Sequence, residues 1–171
     1  MLILVEGADG SGKTTLVSQL NEYFPTLRIN RDHDHIPDFY DNLIDMQEDV
    51  VLDRSFITDV VYRLALEDGK ETDGINMFYM EHILRNSVVI YCKTATQFDD
   101  AMHRGEDNIT NLLTSKIISR HYDAVMKFIN TRTSTHVIKY DWHFDTVEEL
   151  VSTIKDVINK TRRKQWNTIV L

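Results

Sequence analysis

The chain has 171 residues, 42% of them apolar and 27% charged, with a net charge of −8. That is ordinary globular composition at the length of a single domain, 1–171, large enough to bury a core without a disulfide or metal staple. The acidic balance excludes the broad basic face that duplex nucleic acid or an anionic membrane needs, while a small anionic ligand needs only a local positive site.

Residues 2–5, Leu-Ile-Leu-Val, form a short apolar run that reads as a buried strand. The run is too short for a targeting or membrane-spanning segment. With one cysteine, Cys92, no internal disulfide forms. A soluble, cytoplasmic protein is the expectation. Residues 13–24 place Leu16, Val17, Leu20 and Phe24 on one helical face, with Pro25 as the expected stop. A second strand is expected over 26–30 and a helix over 38–47. A third strand spans 49–53, followed by helices over 56–67 and 75–86 with a polar break between them. The fourth strand is 87–92, followed by helices over 96–104 and 109–130. The fifth strand is 136–140, and an amphipathic helix is expected over 145–160.

Strands alternating with helices imply parallel βαβ units. The runs at 2–5, 50–52 and 88–92 are continuously apolar, which suits central strands covered on both faces. The expected architecture is α/β, three layers with a five-stranded parallel sheet flanked by helices. Ligands in such sheets bind at the carboxyl ends of strands.

Gly7-Ala8-Asp9-Gly10-Ser11-Gly12-Lys13-Thr14 matches GxxxxGK[ST] in full, between a predicted strand and a predicted helix. Gly7, Gly10 and Gly12 let the backbone curl so that its N–H groups, Ser11 and Thr15 among them, point at phosphate oxygens. Lys13 supplies a cation to the terminal phosphates, and the Thr14 hydroxyl is a ligand for Mg²⁺. The motif names a nucleoside triphosphate, ATP in this reading, and not a reaction. The Asn-Lys-x-Asp signature of a guanine reader is absent. A kinase for a small acceptor is favoured over a motor or an oligomeric ATPase.

The third strand ends in Asp53-Arg54-Ser55. A carboxylate there can hold Mg²⁺ through water or accept a proton, and the adjacent guanidinium can clamp a phosphate; the plainer alternative is a surface ion pair. Thr58 and Tyr62 follow at the spacing D-R-x-x-x-[ST]-x-x-x-Y. Together with Val5-Glu6-Gly7 through Lys13-Thr14-Thr15, with Arg104-Gly105-Glu106, with Arg120-x-Tyr122 and with residues 137–141, this resembles the thymidylate kinase family and its deoxynucleoside kinase relatives. The resemblance covers most of the chain. It implies that Arg54 holds the acceptor's phosphate, that Asp53 organises Mg²⁺, and that Asp9 holds a sugar 3′-hydroxyl. It further implies that Tyr62 lies near the acceptor base, that Trp142 forms a wall for adenine, and that Arg104, in a lid near 103–110, neutralises the transferring phosphoryl group.

One stretch departs from that pattern. Arg31-Asp32-His33-Asp34-His35 stands where the family carries an Arg-x-Pro-Gly turn, and residues 32–73 hold 13 acids against 3 bases. Arg31 and Asp32 are candidate acceptor-site residues. The alternating acids and histidines are a loose metal pattern and read more simply as a solvated turn. Three reactions or roles therefore stand: a deoxynucleoside monophosphate kinase; a kinase for a 5′-hydroxyl, on a nucleoside or on a strand end (Asn30-Arg31-Asp32 resembles the phage-type polynucleotide kinase motif); and a nucleotide-binding module without catalysis. The expected partner is a small nucleotide or nucleoside, with nucleic acid disfavoured by the local acidity. Residues 160–164 read as a basic cluster following the last helix, and the apolar residues 166–171 leave a homodimer open.

Overall fold

A computed structural model of the chain describes residues 1–29, 37–66, 77–93 and 112–169. The expected helix over 96–104 and the lid near 103–110 lie outside the described residues. Five strands are present: β1 (Leu2–Glu6), β2 (Thr26–Arg28), β3 (Val50–Asp53), β4 (Ser87–Cys92) and β5 (His136–Tyr140). They form one sheet in the order β2-β3-β1-β4-β5, with every neighbouring pair parallel. The described helices are α1 (Lys13–Leu20), α2 (Pro37–Asp45), α3 (Phe56–Leu66), α4 (Met77–Arg85), α5 (Leu112–Arg132) and α6 (Val147–Ile169).

Strand alternation sorts the core into two halves. Leu2 and Leu4 of β1, Val50 and Leu52 of β3, and Val89 of β4 face a cluster completed by α2, α3, α4 and α5. Ile3 and Val5, Val51, and Val88 and Ile90 face the opposite cluster, completed by α1 and α6. β1, β3 and β4 are buried along their whole length. Continuous apolar runs were the signature of strands sandwiched between helical layers, and these three carry it.

This alternation decides where the polar strand ends point. Glu6 continues the Leu2–Leu4 side and enters the α3/α5 layer. Asp53 continues the Val51 side and faces the layer of α1. The sheet order puts β1 between β3 and β4, so the chain leaves β1 at the point where the strand order reverses. In open parallel sheets that point is where a crevice opens.

Several boundaries differ from the sequence expectation. α1 stops at Leu20 and continues as turns in which the Tyr23 and Phe24 N–H groups donate to the Leu20 carbonyl, at 2.9 and 3.0 Å. Pro25 therefore does not end it. β2 closes at Arg28 rather than at residue 30. α6 begins two residues later than expected, because Thr146 acts as its cap: the Glu149 N–H donates to Thr146 Oγ1 at 3.3 Å, and Thr146 Oγ1 donates to Glu149 Oε2 at 3.0 Å. It runs to Ile169, so residues 160–164 lie inside the helix rather than after it. Arg162 there donates to Asp49 Oδ1 at 2.8 Å, tying α6 to the turn that precedes β3. Among the described residues no helix is long and apolar enough to cross a membrane.

Candidate functional site

The loop between β1 and α1 curls over the carboxyl end of β1. Gly7, Gly10 and Gly12 have φ of +149°, +77° and +84°. Two of these positions are crowded as well. A Cβ at Gly7 would stand 2.4 Å from the Cys92 carbonyl oxygen, and one at Gly12 would stand 3.0 Å from Trp142 Cδ1. The loop thus fits tightly between the end of β4 and the β5–α6 turn. Gly12 caps α1 without a side-chain hydrogen bond, which leaves the first N–H groups of the helix directed into the loop.

Lys13 is buried, and its ammonium donates to the Ala8 carbonyl at 2.7 Å. Burial, then the Arg54 charge, lowers its pKa. Ser11 Oγ is buried in the same loop with no hydrogen-bond partner among the described residues. A buried hydroxyl without a partner inside a curl of N–H donors suits a ligand rich in acceptor oxygens. Thr14 and Thr15 open α1 and are exposed. Thr14 and Asp53 together offer only oxygen donors, the set that Mg²⁺ prefers alongside phosphate and water. Among the described residues no group of three or more His, Cys, Asp or Glu forms a self-sufficient metal site. The phosphate-bearing ligand would therefore have to supply part of the coordination.

Asp9 is where the loop meets the β3–α3 turn and α3. Arg54 Nη2 donates to Asp9 Oδ1 at 2.8 Å, and the Tyr62 hydroxyl donates to Asp9 Oδ2 at 3.0 Å. The three residues come from the β1–α1 loop, the β3–α3 turn and the second turn of α3, and they close into one polar cluster beside Lys13. Burial alone would raise the Asp9 pKa; the charges of Lys13 and Arg54, with the Tyr62 hydrogen bond, outweigh it and hold the carboxyl below its usual value. Burial likewise opposes the Arg54 charge, and Asp9 and Tyr62 more than offset it. Arg54 has φ of +72°, an uncommon conformation for a residue with a side chain.

Asp53 is 6% exposed at the end of β3, and its Oδ2 lies 3.9 Å from Arg28 Nε. Trp142 stacks on His143 with ring centroids 3.7 Å apart. It lines a hollow of about 610 Å³ beside the loop, together with Gly12, Thr15, Gln19, Tyr23 and Asp145. Arg31, Asp32 and Arg104 lie outside the described residues.

Glu6 was not singled out from the sequence. It is fully buried at the last position of β1. Ser55 Oγ donates to its Oε1 at 2.6 Å and Thr58 Oγ1 to its Oε2 at 2.7 Å; the Tyr122 hydroxyl stands 3.4 Å from Oε2 and 2.9 Å from Thr58 Oγ1. Burial pushes its pKa up to about 7, against the pull of the Ser55 and Thr58 hydroxyls and of Lys13 and Arg54. A carboxylate at the end of an otherwise apolar strand, one residue before the phosphate loop, was the available signal. At the end of β4, Lys93 is paired with Asp123 at 2.6 Å, and Tyr91 donates to the same carboxylate at 2.9 Å. Cys92 is free and buried, and burial pushes its thiol up to about 12, which leaves it inert as a nucleophile.

No protein-family model and no curated protein sequence matches the chain. Solved structures do. The YorR protein of Bacillus subtilis, in complex with phosphorylated GDP, has a TM-score of 0.65 and 19% identity, over 96% of this chain and 98% of that one. Deoxyadenosine kinase from M. mycoides, with dCMP and dCDP bound, has a TM-score of 0.57 and 16% identity, over 94% and 99%. Thymidylate kinase from Candida albicans has a TM-score of 0.57 and 15% identity, over 94% and 92%. The fold is that of P-loop kinases, matched over nearly the whole length of each chain.

Proposed function

We propose that the protein is a phosphotransferase that moves the γ-phosphoryl group of ATP to a deoxynucleoside monophosphate of the thymidylate kind, yielding ADP and the diphosphate. The observation that carries the reading is the Asp9–Arg54–Tyr62 cluster. It joins a phosphate-binding loop to a cation at the neighbouring strand end and to an aromatic hydroxyl on the helix that follows, within reach of a second substrate. The structural neighbours include enzymes named as thymidylate and deoxyadenosine kinases, which agrees with an acceptor of this chemical class.

The reaction joins an oxygen of the acceptor phosphate to the γ-phosphorus, and the bond from that phosphorus to the β-bridging oxygen breaks. An acceptor phosphate is its own nucleophile, so the protein needs to supply no base. Catalysis is then positioning and charge stabilisation. Gly7, Gly10, Ser11, Gly12, Lys13, Thr14 and Thr15 hold the donor phosphates, and Trp142 flanks the donor base. Thr14 and Asp53 hold Mg²⁺, which when bound neutralises charge on the donor phosphates. Arg54 grips the acceptor phosphate. Asp9 aligns that arginine and takes a sugar hydroxyl with its remaining lone pairs, and Tyr62 lines the acceptor pocket. The role of Arg104 rests on the family resemblance alone, and those of Arg31 and Asp32 on the sequence alone. A free, buried thiol agrees with action in a reducing compartment such as the cytoplasm.

One observation favours a second reading. The Arg54 charge is already matched by Asp9 at 2.8 Å. A neutral 5′-hydroxyl acceptor would not compete for that pair, and Asp53 would then serve as the base. Incubation with γ-labelled ATP separates the two. Label in a deoxynucleoside diphosphate supports the monophosphate acceptor, and label in a monophosphate supports the hydroxyl. Label found only in inorganic phosphate contradicts both.

A further inference from the structure

Arg54 holds its position at a conformational cost. Its φ of +72° is disfavoured for any residue with a Cβ, and such a conformation persists only where the surroundings impose it. On its N-terminal side the Arg54 N–H donates to the Val5 carbonyl at 3.1 Å. On its C-terminal side Ser55 is fully buried and turns the chain into α3. Ser55 caps that helix: its carbonyl accepts from the Thr58 N–H at 3.0 Å, and its Oγ accepts from the Ile57 N–H at 3.2 Å. The Phe56 N–H is satisfied by the Tyr40 hydroxyl of α2 at 3.0 Å.

What fixes Ser55 is Glu6. Its position in β1 faces the α3/α5 layer, where Leu2 and Leu4 pack, and an apolar residue would suit that layer by packing alone. Instead the side chain is a carboxylate on which three hydroxyls converge, those of Ser55, Thr58 and Tyr122. The two carboxyl oxygens accept from the Ser55 and Thr58 hydroxyls, the Tyr122 hydroxyl then donates to Thr58 Oγ1, and Ser55 Oγ is left free to accept from the Ile57 N–H. The charged groups bearing on it are Lys13 from α1 and Arg54 above it; Tyr122 from α5 and Cys92 from β4 are the neighbouring titratable groups.

We propose that Glu6 is the positioning residue of the acceptor site: by accepting the hydrogen bonds of the Ser55 and Thr58 hydroxyls it locks the strained Arg54 turn and so fixes the guanidinium against Asp9 and Tyr62. The inference rests on the acceptor-site reading for its consequence in catalysis, and on the hydrogen-bond geometry for its mechanism. Glu6 touches no reacting atom. It acts through Ser55.

The test compares wild-type protein with Glu6→Gln, Ser55→Ala and Thr58→Val, all checked for an unchanged fold by amide NMR dispersion. The primary readout is the Arg54 guanidinium Nε–H resonance, assigned by its loss in Arg54→Lys. The expected result is a distinct signal in the wild type that broadens or moves to the free-arginine position in Glu6→Gln and Ser55→Ala. An Arg54 resonance unchanged in both overturns the proposal. If Glu6→Gln does not fold, Ser55→Ala and Thr58→Val decide by the same readout. In steady-state kinetics the two displaced variants should show acceptor KM raised about tenfold or more, with ATP KM changed less than about twofold. Equal rises in both KM values would mark Glu6 as generally structural and overturn the positioning role. If wild-type protein phosphorylates no acceptor, the phosphotransfer reading fails, and the resonance still tests Glu6.

Discussion

Replacing Glu6 by glutamine should change how stability depends on pH in a calculable way. The carboxyl of a free glutamate has an ordinary pKa of 4.5, and burial raises that of Glu6 to about 7. Between those values the folded protein holds a proton that the unfolded chain has released. Stability therefore falls as pH rises through this window, because the unfolded state binds fewer protons there. Moving the group by about 2.5 pH units, at about 1.4 kcal/mol each, amounts to between about 3 and about 4 kcal/mol, of which roughly 3 falls between about pH 4 and about pH 8. Because the group is fully buried, solvent screening does not reduce this greatly. Glutamine keeps the shape and does not titrate. The assay is urea denaturation of wild-type and Glu6→Gln protein from about pH 4 to about pH 8. The difference removes the contribution of titrating groups remote from Glu6 and Arg54. Wild-type stability relative to the variant should drop by roughly 3 kcal/mol across the window, most steeply between about pH 5 and about pH 6.5. A difference that stays flat within about 0.5 kcal/mol, or one that rises with pH, refutes the reasoning.

Other perturbations address the loop and the acceptor cluster. Lys13→Ala should lower kcat by about 100-fold or more and weaken ATP binding, read by turnover and by calorimetry, because no other loop cation replaces it. Arg54→Ala should raise acceptor KM by roughly 10- to 100-fold, the worth of a hydrogen bond to a charged group, while ATP KM changes little. Gly7→Ala should be more damaging than Gly12→Ala in thermal melts. The first drives a Cβ to 2.4 Å from a backbone oxygen; the second meets the edge of Trp142 at 3.0 Å, and both have positive φ. Equal melting temperatures for the two would contradict the packing described.

What the sequence made legible, and what it hid, follows from the range of the interactions. The phosphate loop was readable because close approach of backbone to phosphate requires glycines at fixed spacing; a Cβ at Gly7 would collide with the Cys92 carbonyl, and one at Gly12 would press on Trp142. The buried strands were readable because burial on both faces demands continuous apolar runs. Asp9, Arg54 and Tyr62 could each be singled out, but not their meeting, since 45 and 53 positions separate Asp9 from its two partners. Glu6 escaped notice for the same reason. A polar residue closing an apolar strand resembles an ordinary strand end, and its hydroxyl partners lie 49, 52 and 116 residues away. The length of α6 was underestimated because its apolar stripe ends at Ile158. Beyond that point the structure shows the Thr161 hydroxyl donating to the Val157 carbonyl and Arg162 reaching Asp49, contacts with no periodic apolar signal.

The central claim is transfer of a phosphoryl group to a small acceptor that carries a phosphate of its own. ADP release from ATP–Mg²⁺, measured across deoxynucleoside monophosphates, deoxynucleosides and 5′-hydroxyl oligonucleotides, tests it most directly. The account predicts ADP release that depends on a deoxynucleoside monophosphate and matches the diphosphate formed mole for mole. Release with no acceptor, or silence across the whole panel while ATP still binds, would contradict it.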